Sequence, residues 1–248
     1  RFMHRWYRDP AAIEKMDNQG YVQAQYEAMS NLLLTGIYTL TREESSVYSF
    51  WRNDFLVGPK YTYAKDSFVF FSVGNSWISY DHGDTESKVI WDAGVTHAFE
   101  DNLLLTVLAD TKYEEDPQSS PKLRRGYSVT LQKTWPRTVM LGSLYYNRYY
   151  LTQSSTLDWL TYGFHGNVKY EVMPRLTAAC DLVLEKLERK IAPTSNTKII
   201  LLSLPVTYDL TQKISLMASY SFNKSSSAQL DTDNWRANKF ILSATAKF

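Results

Sequence analysis

The segment Phe240-Ile241-Leu242-Ser243-Ala244-Thr245-Ala246-Lys247-Phe248 decides the fold class, because its side chains alternate between apolar and mostly polar positions. A period of two residues is that of a β-strand with two different faces, whereas an amphipathic helix repeats every 3.6 residues. The stretch from Ile214 to Asn223 alternates in the same way. The end of the chain therefore predicts two adjacent, two-faced strands.

The same period continues towards the start of the chain. Clear alternation covers residues 21–28, 89–96, 127–132 and 160–170. Further strands are predicted at 32–41, 54–64, 68–79, 102–113, 138–150, 176–187 and 198–209, and Phe2 to Tyr7 is taken as the first strand. These segments, rich in β-branched and aromatic residues and bounded by turn residues, indicate an all-β protein.

The connections between the predicted strands alternate strictly between short and long. Six are short turns, such as Pro136-Arg137, and seven are longer polar loops, such as the one from Glu114 to Arg125. This pattern predicts an antiparallel up-and-down meander of about fourteen strands, with 12 and 16 as the alternative counts. No linker or change of pattern marks a boundary, so residues 1–248 are predicted to form a single domain.

Composition and charge exclude several classes of protein. The 27 basic and 26 acidic residues nearly cancel, so nothing indicates a nucleic-acid partner. Cys180 is the single cysteine, which excludes an intrachain disulfide framework. No apolar run reaches the length of a membrane helix. Because no signal-peptide pattern precedes Arg1, we expect a mature or trimmed chain.

Aromatic residues beside the predicted short turns distinguish a membrane barrel from a soluble sandwich or propeller, which alternates as well. Aromatic residues make up 15% of the chain, and amphipathic rings collect at the membrane–water boundary. The predicted membrane-interface girdle comprises Tyr63, Phe68, Phe99, Trp135, Tyr170, Tyr208 and Phe248. We therefore predict a transmembrane β-barrel with short periplasmic turns and longer extracellular loops.

The C-terminal segment ending in Phe248 resembles the last strand of bacterial outer-membrane β-barrel proteins. This resemblance implies location in the outer membrane, contact with its lipid, and insertion by the barrel-insertion machinery, which reads the terminal aromatic residue. The turns Pro136-Arg137-Thr138, Pro174-Arg175-Leu176 and Thr211-Gln212-Lys213 also look like those of β-barrel porins associated with exopolysaccharide systems. That likeness implies a periplasmic export or envelope partner.

The polar face of such a barrel lines a lumen. About eight strands are filled by side chains and 16–18 leave an aqueous channel, so fourteen predict a narrow pore. The predicted pore-lining residues are Glu27, Lys60, Asp92, Asp110, Lys112, His165, Lys169, Asp181, Glu185 and Lys239. Of these, His165, Lys169, Asp181 and Glu185 are predicted to form one charged patch, as a cross-strand ion-pair ladder rather than a ligand site.

The sequence indicates no catalytic residue, metal site or cofactor. An outer-membrane hydrolase is an alternative that would need His82 or His165 beside a nucleophile. Tyr48, Phe50 and Trp51 are predicted to lie in a loop. The predicted function is passive or partner-assisted passage of hydrophilic solutes or polymer. A closed structural or interaction barrel is the other alternative.

Overall fold

The computed structural model describes residues 2–7, 15–45, 49–114, 121–152, 154–191, 194–227 and 234–246, without the side chains of 2–7, 15, 17, 45 and 101. These residues form one antiparallel sheet whose fourteen strands follow the order of the chain. The strands are β1 (Phe2–Tyr7), β2 (Lys15–Met29), β3 (Leu32–Ser45), β4 (Ser49–Ala64), β5 (Ser67–Tyr80), β6 (Thr85–Phe99), β7 (Leu103–Glu114), β8 (Lys122–Trp135), β9 (Thr138–Leu151), β10 (Leu157–Met173), β11 (Leu176–Arg189), β12 (Ser195–Asp209), β13 (Ile214–Ser227) and β14 (Trp235–Ala246). The predicted all-β meander of about fourteen strands is confirmed.

The short turns are tight because their central residues take conformations that a regular strand does not allow. Asp66 and Arg175 have φ values of 56° and 74°, and Asn102 closes a single 3₁₀ turn with φ at 58°. The registers of β4–β5 and β10–β11 also shift by one residue beside their turns. Such bulges change which side chains share a face.

Two glycines permit a close approach between β4 and β5. A Cβ atom on Gly74 would lie 1.6 Å from the carbonyl oxygen of Phe55, and one on Gly58 would lie 1.9 Å from that of Phe71. No side chain fits at either position without movement of the backbone. The sheet here therefore depends on glycine.

The two faces of the sheet differ in both polarity and exposure. Along β4 and β5 the odd-numbered side chains, such as Val57 and Trp77, are exposed and largely apolar. The even-numbered ones, such as Arg52 and Ser76, are more buried and include most of the charges. We call these the apolar face and the polar face, and cross-strand pairing extends them to neighbouring strands.

The chain packs as two compact units, each with its own contacts. The first contains Arg1–Thr96, Leu108–Gly126 and Tyr149–Leu157; the second contains His97–Val107, Tyr127–Arg148 and Asp158–Phe248. The single-domain organisation stays a prediction. Within the described ranges, no helix combines the length and apolar character that a membrane-crossing helix requires.

Some predicted strand ends at the long loops were too short, most clearly the start of β4. β4 begins at Ser49 instead of residue 54, so Phe50 and Trp51 are strand residues and not loop residues. Tyr48 lies outside the described residues. Charged side chains such as Arg52 and Asp54 made this segment resemble a loop, although the alternation of β4 continues through it.

Candidate functional site

Side chains on the polar face of β3–β6 form a compact cluster at the long-loop ends of these strands. Cross-strand pairing builds it in three rows, which are Thr39–Asp54–Ser76–Lys88, Thr41–Arg52–Ile78–Glu86 and Glu43–Phe50–Tyr80. Tyr113 and Leu123 complete it, with Tyr80 and Tyr150 packed against its apolar members. We call this group the rim cluster.

The rim cluster is buried even though it contains charged groups. Phe50, Ile78, Glu43 and Ser76 are fully buried, and Arg52 is 5% exposed. Apolar side chains from β4, β5, β7 and β8 therefore enclose polar ones. Buried charges persist in folded proteins where they are paired and hydrogen-bonded.

Arg52 and Asp54 form the central ion pair of the cluster. Arg52 Nε lies 3.0 Å from Asp54 Oδ2, and the Ser76 hydroxyl donates to the other carboxylate oxygen of Asp54. The Arg52 guanidinium also lies 6.0 Å from the centre of the Tyr113 ring. Strand alternation explains the arrangement, because Arg52 and Asp54 are two residues apart and Ser76 pairs directly with Asp54.

Two other members of the rim cluster, Glu86 and Tyr113, have buried polar atoms that lack hydrogen-bond partners among the described residues. Within the described part of the chain, Glu86 Oε2 and the Tyr113 hydroxyl are buried without a hydrogen-bond partner. Burial raises the pKa of the Glu86 carboxyl. The charge of Lys88 lowers this pKa by a smaller amount, and the charge of Asp84 raises it further. Burial likewise raises the pKa of the Tyr113 hydroxyl.

The connection between β9 and β10 reaches the polar face of β6. Lys88 Nζ donates to Ser155 Oγ at 3.2 Å, and Thr152 Oγ1 donates to the carbonyl of buried Pro121 at 2.5 Å. Ser155 has a φ of 55° and donates its amide to the carbonyl of Leu151. This connection therefore folds back beside the rim cluster.

A second polar group lies in the other unit. His165 Nε2 is 2.9 Å from Asp181 Oδ2, and Asn167 donates to the same oxygen at 3.1 Å. Glu185 accepts a hydrogen bond from Tyr145 at 2.8 Å. The predicted pairing of His165 with Asp181 is present. Lys169 is exposed and pairs in register with Ala179 instead of an acid.

Four other predicted pore-lining residues lie on the polar face. Glu27 and Lys60 are both register partners of Leu33. Asp92 pairs with Ser72 in register. Lys239 pairs with Ser221, on the same face as the alternate serines of β13. Their role in lining a pore stays a prediction.

Asp110 and Lys112 turn away from the rim cluster, contrary to the prediction. Thr111 and Tyr113 are the buried side chains of this part of β7, and strand alternation directs their neighbours to the opposite face. Asp110 pairs there with Arg124, and Lys112 Nζ lies 3.1 Å from Asp110 Oδ2. Because Leu108 still packs beside the polar-face position of Gly94, the alternation shifts between residues 108 and 111.

Phe68 was assigned to the wrong face. The register shift at the end of β4 pairs Phe68 with Thr62 and leaves Tyr63 as the extra residue. Phe68 therefore shares the face of Lys60, whose Nζ lies 3.8 Å from the ring centre. The girdle prediction placed Tyr63 and Phe68 on the same face, whereas the bulge puts them on opposite faces.

The other predicted girdle residues are exposed beside the short turns. Their exposed fractions lie between 41% and 45% for Tyr63, Phe99, Trp135, Tyr170 and Tyr208. Phe248 lies outside the described residues. The contact of these rings with a membrane interface stays a prediction.

The sequence reasoning missed Glu43, Arg52, Glu86 and Tyr113 as members of a site. If the alternation of the predicted strand is extended from Asp54 back to Phe50, Arg52 falls on the polar face. The burial of Glu43 and Glu86 depends on contacts between strands, which sequence alternation does not reveal.

Neither histidine of the hydrolase alternative has a serine partner among the described residues. His165 is bonded to Asp181, and His82 lies in the turn between β5 and β6. The described ranges also contain no group of three or more His, Cys, Asp or Glu side chains that could hold a metal ion.

Comparisons with known proteins identify the fold. No protein-family model matches the chain. The curated proteins likewise include none that matches it. Among solved structures, OmpT, an outer membrane protein of Vibrio cholerae, has a TM-score of 0.56 at 10% identity, over 99% of this chain and 93% of that chain.

Two further structures show the same similarity. The outer membrane channel DcaP of Acinetobacter baumannii has a TM-score of 0.56 at 10% identity, over 96% of this chain and 86% of that chain. The ferric enterobactin receptor PfeA has a TM-score of 0.56 at 9% identity, over 95% of this chain and 54% of that chain. The fold is therefore that of antiparallel, up-and-down outer-membrane β-barrels, as the sequence predicted.

Proposed function

We propose that this protein is a bacterial outer-membrane β-barrel that forms a narrow, polar-lined pore for small hydrophilic solutes. The observation that carries the proposal is the difference between the two faces of the sheet. One face exposes large apolar side chains on almost every strand, and the other carries serines, threonines and charged groups. Such a sheet is suited to lipid on one side and water on the other.

The strand lengths support a membrane location. A transmembrane strand needs about 9–11 residues when tilted, and thirteen of the strands have 12 to 17 residues. Pairing on both sides satisfies the backbone hydrogen bonds of the strands β2–β13, as hydrocarbon requires. The remaining residues of each strand then extend beyond the lipid at the long-loop end.

The rim cluster and the β9–β10 connection would restrict passage through the proposed pore. Their buried ion pair and aromatic side chains occupy the polar face at one level, and the contact between Lys88 and Ser155 brings a loop against it. Solute size is then limited here by side chains. Selectivity for charge is weak, because the acids Glu43, Asp54 and Glu86 exceed the bases Arg52 and Lys88 by only one charge.

Conductance across planar lipid bilayers tests this proposal. We expect discrete current steps from the whole chain, and larger steps from a variant in which residues 152–156 are replaced by a Gly-Ser linker. As a control, a Gly-Ser linker replaces the short turn 65–66, which lies at the other end of β4 and β5 from the rim cluster, and the steps should keep their size. Absence of steps from all three proteins would favour the closed interaction barrel instead.

Polymer export is a narrower form of the same proposal. It is supported by the similarity of the short turns to those of exopolysaccharide-associated porins, and it requires a periplasmic partner. Cells lacking the protein should then retain polymer inside the envelope, whereas loss of a diffusion pore should slow solute uptake. Lipid contact and insertion through the strand that ends at Phe248 belong to the proposal in both forms.

A further inference from the structure

Basic side chains lie near the long-loop ends of several strands, on the apolar face of the second unit. Arg148 of β9, Lys186 of β11, Lys198 of β12, Lys224 of β13 and Arg236 of β14 form what we call the outer basic row. Lys186 pairs in register with Lys198, and Lys224 pairs with Arg236. Each pair places two cations side by side, and the two pairs are offset by two residues because Lys224 pairs in register with Ile200. Like charges on adjacent strands repel each other unless anions neutralise them.

The row lies where the apolar part of each strand ends. In β12 the outward residues are Tyr208, Val206, Leu204, Leu202 and Ile200, and Lys198 follows. Ten residues at about 3.3 Å each and a strand tilt of about 40° place Lys198 roughly 25 Å from Tyr208 along the membrane normal. This distance equals the height of the apolar band of outer-membrane barrels. Lys198 is thus at the headgroup level, opposite the girdle end.

Most of the row lacks a protein counter-charge. Among the described residues, no carboxylate lies within ion-pair distance of Lys198, Lys224 or Arg236, and all three are exposed. Arg236 stacks on Phe222, with its guanidinium carbon 5.1 Å from the ring centre. Lys186 differs, because it bonds Glu188 at 2.7 Å and, with Lys190, lowers the pKa of that carboxyl to about 2.

The first unit has no such row on the apolar faces of β3–β5. Its one cation there, Arg42, is neutralised by two hydrogen bonds of 2.7 Å to Asp81, which lower the pKa of Asp81. At the corresponding level of β4 and β5 lie Asn53 and Asn75, which bond Tyr38 and Ser87. Among the described residues of β3–β5 and β12–β14, the unpaired cations on the apolar face therefore lie on β12–β14.

We propose that the outer basic row binds the phosphate groups of an acylated, phosphorylated glycolipid, with the acyl chains lying on the apolar face below. Lys198, Lys224 and Arg236 would donate to the phosphates, and Ile200, Phe222 and Phe240 would contact the first part of the chains. The binding combines charge-assisted hydrogen bonds with apolar contact. This inference rests on the proposed outer-membrane location.

Lipid binding by the whole chain, folded in a neutral detergent, tests the inference. The probe is a bisphosphorylated, acylated glucosamine disaccharide, and bound lipid is counted by native mass spectrometry. The variant K198Q/K224Q/R236Q should bind at least tenfold more weakly. The variant K198R/K224R/R236K should bind like the wild type, as should K65Q/R137Q/K213Q, which removes three charges from the short turns.

Two further measurements show whether the bound phosphate belongs to the lipid or is free inorganic phosphate. The same lipid without its phosphates should bind as weakly as the glutamine variant does, and inorganic phosphate at the lipid's concentration should not displace the lipid. Equal binding by the glutamine variant, equal binding of the dephosphorylated lipid, or displacement by inorganic phosphate would overturn the inference. Heat-dependent gel migration confirms folding of every variant. Bilayer conductance is measured separately, so failure of the pore proposal can be distinguished from failure of the lipid-binding inference.

Discussion

Protonation of one side chain, Glu86, makes the charge and stability of the rim cluster depend on pH. Burial raises the pKa of its carboxyl, and Lys88 and Asp84 are the charged groups that modify this effect. The folded state therefore holds this proton more tightly than the unfolded chain does. The contribution of Glu86 to stability is present at low pH and is lost as the pH rises through the raised pKa.

Replacement of this carboxyl by an amide should remove one pH response of the pore. We expect the conductance of the wild type to change on acidification at a pH above the ordinary titration range of glutamate, because the rim cluster loses a charge there. E86Q should lack this change, and E100Q, altered at an exposed turn, should retain it. Identical pH profiles for wild type and E86Q would contradict the placement of Glu86 in the conduction path.

A second prediction concerns the stability that the ion pair of Arg52 and Asp54 provides. R52M leaves the carboxylate of Asp54 buried without its cation, so the free energy of unfolding should fall by about 3 kcal/mol. The double variant R52M/D54N removes the uncompensated charge and should recover most of this loss. Urea unfolding in lipid vesicles, followed by tryptophan fluorescence, measures both. An additive loss in the double variant would show that the two side chains do not act as a pair.

At the scale of elements, the contact between β4 and β5 depends on glycine. G74A would place a methyl group on the carbonyl oxygen of Phe55, so β5 would have to move away. We expect little folded protein from G74A, measured as the fraction with heat-modifiable migration. G36A is the matched control, because a Cβ atom at Gly36 has no neighbour within 4 Å. Equal yields from the two variants would refute the close approach.

The strands themselves were predictable from the sequence because their two-residue alternation is strong. Local signals also revealed the short turns, such as Pro136-Arg137. The start of β4 at its long loop was not predictable in this way, since Arg52 and Asp54 are as polar as loop residues. Their place in a strand depends on partners in β3 and β5 that are distant in the chain.

Face assignments failed where the register shifts. The bulge that follows Thr62 moved Phe68 to the polar face, and the shift after Leu108 moved Asp110 and Lys112 off it. A one-residue change reverses every later side chain of a strand. Alternation across the regular pairing of β10 and β11 did predict the contact between His165 and Asp181. The candidate site was therefore predictable only where neighbouring strands pair without interruption.

For the molecule as a whole, the exposed apolar face predicts a requirement for lipid or detergent. The chain should remain soluble only in their presence, and its folded form should migrate differently on gels before and after boiling. This behaviour follows from large apolar side chains such as Phe240 and Leu242, which are 79% and 86% exposed. A freely soluble, heat-insensitive protein would contradict the membrane location.

The length of β4 and β5 has a consequence for experiments on living cells. β4 has 16 residues, which at about 3.3 Å each and a tilt of about 40° rise roughly 40 Å, well above the hydrocarbon layer. In the proposed orientation the turn that carries His82 therefore lies above the hydrocarbon layer, on the extracellular side. An epitope inserted between Asp81 and Asp84 should therefore be stained by an antibody on intact bacteria.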